Sequence, residues 1–314
     1  MSTLTLQDAV REISRRQVWE NRNGCLRYVV EGEWDETKHR RGQPGNAGQF
    51  ASQGRASGSV GAKPTSSEQP KGAARAAAAP DVIKKLVSDE EAALPKSVGH
   101  QHKTKEAAFA AAKAAKPAFD RGLDTGKGVD EVLGATVVRP NTPEEMIASL
   151  DTKGPLVILA PIKSERRANE KVEDDYKGDW TKITDLVRAT VAVDTVAELP
   201  KAMEAIRAKM PGAGWKIATL PKNRFDVPVP GGYRDILLRL TNDSGMVAEL
   251  QVNLKGIVRV KESEGHDVYE QLQKIDRACR SQKRYPTPEE DAQVKALQDK
   301  LEPMYERALK QAGG

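Results

Sequence analysis

Residues Arg234–Asn253 read RDILLRLTNDSGMVAELQVN. Two apolar runs flank Asn242-Asp-Ser-Gly245, a cluster of turn-forming residues. The pattern predicts two antiparallel strands, Arg234–Thr241 and Met246–Asn253, joined as a hairpin. In the second strand Met246, Ala248, Leu250 and Val252 point one way, and Val247, Glu249, Gln251 and Asn253 the other. A row of Glu, Gln and Asn on one sheet face needs polar partners or a wet cleft. A solvent-facing sheet surface would serve it equally well.

Working outward, the flanking sequence alternates strand and helix signals. Pro155-Leu-Val-Ile-Leu-Ala160 is a short apolar run that fits a buried strand. Helical spacing follows over Ile162–Tyr176. Val187–Asp194 is β-branched and alternating, so it reads as a strand. Ala197–Met210 is a helix that turns Leu199, Met203, Ile206 and Met210 inward. Trp215–Leu220 is a further strand, and His266–Gln282 and Pro288–Gln311 are helices. The fold class expected is α/β (α+β): an antiparallel-rich mixed sheet flanked by helices.

Upstream the character differs. Residues 81–150 are helical, with an alanine-dense segment around 103–116 that Pro117 should kink or end. Thr142-Pro143-Glu-Glu145 supplies a cap, a proline for the first turn and acidic residues after it, so a helix should start at Pro143. Residues 35–80 are rich in Gly, Ser, Ala, Gln and Pro and hold almost no core-forming residues. Such a segment cannot offset its chain entropy by burial and is expected to be a disordered linker. Residues 1–34 carry helical spacing at Leu6, Val10 and Ile13 and then Asn23-Gly24 between two apolar runs, a hairpin signal. The organisation expected is therefore a helix-plus-hairpin module (1–34), a linker (35–80), a helical segment (81–150), the α/β domain (151–282) and a C-terminal helix (283–314).

Bulk composition bounds the function. The 314-residue chain is 38% hydrophobic and 4% aromatic, which is low for a chain folded throughout. Its net charge of +5 suits a phosphate-bearing ligand without demanding one. The modest charge and few aromatics argue against a dedicated RNA-binding module. Two cysteines, Cys25 and Cys279, and four histidines stand in no metal spacing. No apolar run reaches the roughly 18–20 residues of a membrane span. The N-terminus lacks a signal core, so the expected location is the cytoplasm of a bacterial host.

Several residues could carry chemistry. Lys163, Arg167 and Lys171 recur at i, i+4 and i+8, which places three cations on one helix face, either solvated or gripping a polyphosphate. Asp185 stands just before a strand, where a carboxylate can point into a cleft or cap a turn. Gly231-Gly232-Tyr233-Arg234 allows a tight entry into a strand and puts a ring at its start.

The order of these features resembles the RelA/SpoT synthetase family. Lys163-Ser164 with Arg167 and Lys171 matches its phosphate helix. Asp185 matches the Asp that precedes a strand, Gly232-Tyr233-Arg234 the opening of the next, and Glu249-Leu-Gln-Val the catalytic strand. The resemblance implies a nucleotidyltransferase-like fold and a pyrophosphokinase. It moves pyrophosphate from ATP to the ribose 3′-hydroxyl of a nucleotide or a tRNA 3′ end. By it, Lys163, Ser164, Arg167 and Lys171 grip the donor phosphates, and Asp185 and Glu249 hold Mg²⁺. Glu249 draws the proton, Tyr233 stacks on the acceptor, and Arg234, Lys222 and Arg224 supply further cations. It also implies growth inhibition and an antitoxin partner. Separately, Trp34-Asp-Glu-Thr-Lys-His-Arg-Arg-Gly with Gly48-Gln-Phe50 resembles a segment of tailed-phage head-associated proteins. That implies virion components as partners and virion association. The alternative function is a head-associated structural protein with an inactive nucleotide-binding domain.

Overall fold

The computed structural model describes residues 79–282 and 284–313, and the backbone of 19–22 and 25–28. The chain divides into two units, residues 1–74 and 75–314. In the first, β1 (Trp19–Arg22) pairs antiparallel with β2 (Cys25–Tyr28), Arg22 opposite Cys25. The expected turn at Asn23-Gly24, the helix over 5–16, the linker through residue 78 and the phage-like segment all lie outside the described residues.

The second unit is built on a mixed sheet. Its order is β3 (Thr136–Val138), β4 (Leu156–Leu159), β5 (Val187–Val193), β9 (Val247–Leu254), β8 (Ile236–Asn242), β6 (Trp215–Ile217), with β7 (Lys222–Asn223) also on β8. The pairs β3–β4 and β5–β9 are parallel; β4–β5, β9–β8, β8–β6 and β8–β7 are antiparallel. The expected antiparallel-rich sheet flanked by helices is therefore the architecture found. The hairpin turn is held by the Asn242 side chain, which accepts from Ser244 Oγ (2.8 Å) and the Met246 N–H (3.0 Å).

Alternation gives the sheet two unlike faces. One turns Val157, Val191, Leu250 and Leu238 into the main core, under α3 (Lys105–Leu123), α4 (Val129–Leu133) and α7 (Leu199–Lys209). Phe119 meets Trp215 edge-on there, at 5.1 Å between centroids. Each such fully buried side chain stabilises the fold by about 1.5–3 kcal/mol. The opposite face carries a separate apolar cluster at its β4 end. Leu156, Ile158 and Ala192 pack there with Leu150 and Val258 in a small second core. The covering helices are α5 (Pro143–Ser149) and α8 (Lys255–Glu262), which touch each other. On that same face the middle strands present Arg188, Glu249 and Arg239 instead.

Local capping sets the helix starts. Thr104, Thr142 and Thr287 each accept an N–H of their own first turn, and Glu290 completes a capping box at α10 (Pro288–Gln311). Four expectations need correction. The helix α6 (Glu165–Tyr176) begins three residues after Ile162: Ser164 is its cap, and the Lys163 N–H bonds the Leu186 carbonyl (3.0 Å). Helix α3 runs through Pro117 to Leu123. The proline removes one backbone donor, but Phe109, Ala112, Phe119 and Leu123 anchor both halves in the core. The 81–150 segment is not helical throughout, since β3 adds an edge strand at Thr136–Val138. Finally, α9 (Glu264–Ser281) starts two residues before His266.

Candidate active site

Asp185 lies at the entrance to β5 with its side chain only 9% exposed. Lys163 Nζ donates to Asp185 Oδ2 at 2.8 Å, and Lys171 Nζ donates to the same oxygen at 3.0 Å. The other oxygen, Oδ1, is buried and has no partner. Burial alone would push this carboxyl up, but Lys171 and Lys163 hold it well below the ordinary carboxylate range. One carboxylate cannot offset two ammonium groups. Lys163 is thus pushed down by burial and by Lys171 and Arg188, while Lys171 is held up by Asp185 against burial.

Beside Asp185 runs a row across three strands. Arg188 on β5 and Arg239 on β8 both stand opposite Glu249 on β9, all on one face. Burial and the Asp185 charge raise the Glu249 carboxyl above its ordinary value, against Lys171 and Arg239. Its one hydrogen bond is a long one, from Gln251 Nε2 at 3.4 Å. Asp185 and Glu249 are therefore close enough to bear on each other's charge. Tyr176, at the end of α6, feels Lys171, Asp185 and Arg239 as well, and burial pushes its hydroxyl up.

The Tyr233 cluster is of another kind. The Tyr233 hydroxyl donates to Asp235 Oδ2 (3.0 Å) and accepts from Asn253 Nδ2 (3.2 Å). Arg224 pairs with the other Asp235 oxygen at 2.9 Å, and Asp235 is fully buried. The Tyr233 ring is half-buried and meets Tyr305 of α10 edge-on at 5.6 Å. Helix α10 also covers the glycines before it. Gly232 has φ +83°, and a Cβ there would sit 3.0 Å from the Glu302 Cα.

The structure thus brings together Lys163, Lys171, Asp185 and Glu249. Arg167 is exposed and lies outside the Asp185 ion-pair cluster, and Ser164 serves as the α6 cap. Because Lys163 precedes the helix, the three cations do not form the expected helical stripe. Arg224 is committed to Asp235, Arg234 Nη1 bonds the Gly232 carbonyl (3.2 Å), and Lys222 sits on β7 opposite Leu237. Arg239 was not anticipated. The signal that could have found it is its parity with Asp235 in a strand paired to the Glu249 strand.

Among the described residues no group of three or more His, Cys, Asp or Glu side chains comes together as a metal site. Two carboxylates, Asp185 and Glu249, lie near enough to feel each other's charge, and Asp185 has a bare buried oxygen. That donor set fits Mg²⁺, which takes one or two carboxylates and completes its shell with water and substrate phosphates.

An ordered series of cations, an Asp before one strand and a Glu on the next, set on this sheet, is the pattern that resembles the RelA/SpoT synthetase family. Over 124 residues, 37% of the chain, it is 34% identical to the (p)ppApp synthetase toxin Tas1 of Pseudomonas aeruginosa (strain UCBPP-PA14). The match covers 26% of that protein's length. No family model matches the chain. Similar solved structures include the complex between the Type VI effector Tas1 and its immunity protein. There the identity is 23%, the TM-score 0.39, and the coverage 65% of this chain and 96% of that one. The small alarmone synthetase 2 of Bacillus subtilis is 18% identical at a TM-score of 0.36, covering 50% of this chain and 74% of that one. Among the described residues no helix is long and apolar enough to cross a membrane.

Proposed function

We propose that this domain transfers a pyrophosphoryl group from ATP to a ribose 3′-hydroxyl of a nucleotide. The observation that carries the reading is Asp185: two lysines share one of its oxygens while the other is buried and bare. The relationship to a (p)ppApp synthetase toxin supports the same chemistry. Lys163 and Lys171 neutralise donor phosphates, and the exposed Arg167 reaches the outer ones. Asp185 and Glu249 hold Mg²⁺, which when bound offsets phosphate charge. Glu249, raised toward neutrality, takes the proton of the attacking hydroxyl. The half-buried Tyr233 ring leaves part of its surface to the acceptor base, and Arg234 and Lys222 supply further cations.

Loss of ATP and accumulation of the product arrest growth, which makes a dedicated inhibitory protein the expected partner. The test incubates the purified chain with labelled ATP, Mg²⁺ and a panel of nucleoside phosphates and tRNA. Label should move to a nucleotide and fail to move with Glu249→Gln. Transfer to tRNA would change the acceptor class, and no transfer to any acceptor sinks the reading.

A further inference from the structure

Arg188 and Arg239 bracket Glu249 in register from the two neighbouring strands. Both Nε atoms are buried without a hydrogen-bond partner. Neither guanidinium appears among the hydrogen bonds or ion pairs of the described residues, although a carboxylate stands between them. Two half-buried guanidiniums in this position are costly unless something satisfies their donors. The charge balance says what is missing. Lys163, Lys171, Arg188 and Arg239 bring four positive charges to the cleft, and Asp185 and Glu249 bring two negative ones. These six groups leave a net positive charge, which an anionic ligand offsets.

Planar guanidinium forks match phosphate oxygens two at a time. Strands are spaced about 4.8 Å apart, so the backbones of Arg188 and Arg239 stand roughly 10 Å from each other with β9 between. Two converging forks and one phosphoryl group fill that gap. We propose that Arg188 and Arg239 form a clamp for the phosphoryl group under attack. The proposal rests on the pyrophosphoryl-transfer reading, because it takes Glu249 as the base. A base must lie within hydrogen-bond reach of the hydroxyl it deprotonates, so the attacked phosphorus is adjacent to Glu249. The acceptor oxygen forms a bond to the β-phosphorus of ATP. The bond from that phosphorus to the α–β bridging oxygen breaks, AMP leaves with the electron pair, and the hydroxyl proton passes to Glu249. Arg188 and Arg239 meet the charge that grows on the β-phosphoryl oxygens.

The test uses the full chain with Arg188→Gln, Arg239→Gln and Arg239→Lys. Each glutamine variant should lower kcat by about 10²–10³-fold, as removal of a transition-state donor does. Arg239→Lys should recover only part of this, since a point charge cannot make the fork. The loss in Arg239→Gln should fall on kcat with the KM for ATP little changed, a split that a purely structural arginine would not cause. Circular dichroism and the thermal midpoint establish that each variant is folded. Arg188→Lys replaces Arg188→Gln if the latter is not. Glutamine variants that are folded and keep wild-type kcat overturn the clamp. If the wild type transfers nothing to any acceptor, the pyrophosphoryl-transfer reading fails, and the clamp is judged by calorimetric binding of inorganic tripolyphosphate alone. Binding to the wild type that both glutamine variants lose upholds an anion clamp, and equal binding or none overturns it.

Discussion

Asp185 and Asp235 are both buried carboxylates paired with cations, yet they are finished differently. Asp235 spends both oxygens, one on Arg224 and one on the Tyr233 hydroxyl, and Asn253 closes the network. Asp185 gives one oxygen to two lysines and leaves the other bare. A fully satisfied buried network rigidifies a fold. A cluster with orphaned atoms pays for groups that the chain itself does not satisfy. The contrast separates a carboxylate that the fold satisfies by itself from one that it leaves unfinished.

The largest effect should come from the unfinished cluster. Asp185→Asn or Glu249→Gln should cut pyrophosphoryl transfer at least about 10³-fold, or about 4 kcal/mol of barrier, read as single-turnover rates. Their stabilities should diverge. Asp185 has a folded-state pKa below its unfolded 3.8, so its contribution is present above that pH and is lost as pH falls through the folded value. Asp185→Asn should therefore lower the thermal midpoint at pH 7, and the gap to wild type should close on acidification. Glu249 has a folded-state pKa above 4.5, so its favourable contribution belongs to the protonated form and is lost as pH rises through the folded value. Glu249→Gln should then raise the midpoint at pH 7. The acid limb of wild-type activity should lie above pH 4.5.

Breaking the finished cluster should act on stability. Arg224→Met leaves Asp235 buried and half-paired, which should cost about 3–4 kcal/mol in urea unfolding. If it abolishes turnover while leaving the midpoint intact, Asp235 is not the structural member of the comparison. A smaller loss is expected away from both clusters. Arg207 Nε and Nη2 bond the two Glu91 oxygens at 2.8 and 2.6 Å, and Nη2 also bonds the Leu86 carbonyl. This ties helix α2 (Asp89–Ala92) to α7. Arg207→Ala should cost about 2 kcal/mol, since it strands a nearly buried carboxylate, and leave the rate unchanged. The smallest effect is Arg167→Ala. This side chain is exposed, so the thermal midpoint should not move. The KM for ATP should rise roughly 5–10-fold, about 1 kcal/mol, and less at high salt.

Much of the fold was legible because its signals are local. Period-2 alternation marks β8 and β9, and Asn242–Gly245 marks their turn. Thr142-Pro143-Glu-Glu145 marks the start of α5 to the residue. What misled was equally local. Ile162 and Lys163 have helical spacing with Lys171, but the Lys163 N–H is held by Leu186 across the site. A three-residue edge strand such as β3 has too few residues to show a period.

The sequence by itself determined which side chains share a face of each strand and where α5 and α10 begin, because Cβ direction and capping depend on neighbouring residues. It also determined the order of Lys163, Asp185, Tyr233 and Glu249. Only the tertiary structure decided that Arg188, Glu249 and Arg239 stand abreast. Register between strands distant in the chain is set by burying their other, apolar faces together. Only it decided, too, that Asp235 is satisfied and Asp185 is not, since desolvation and pairing depend on what the whole fold packs around a group.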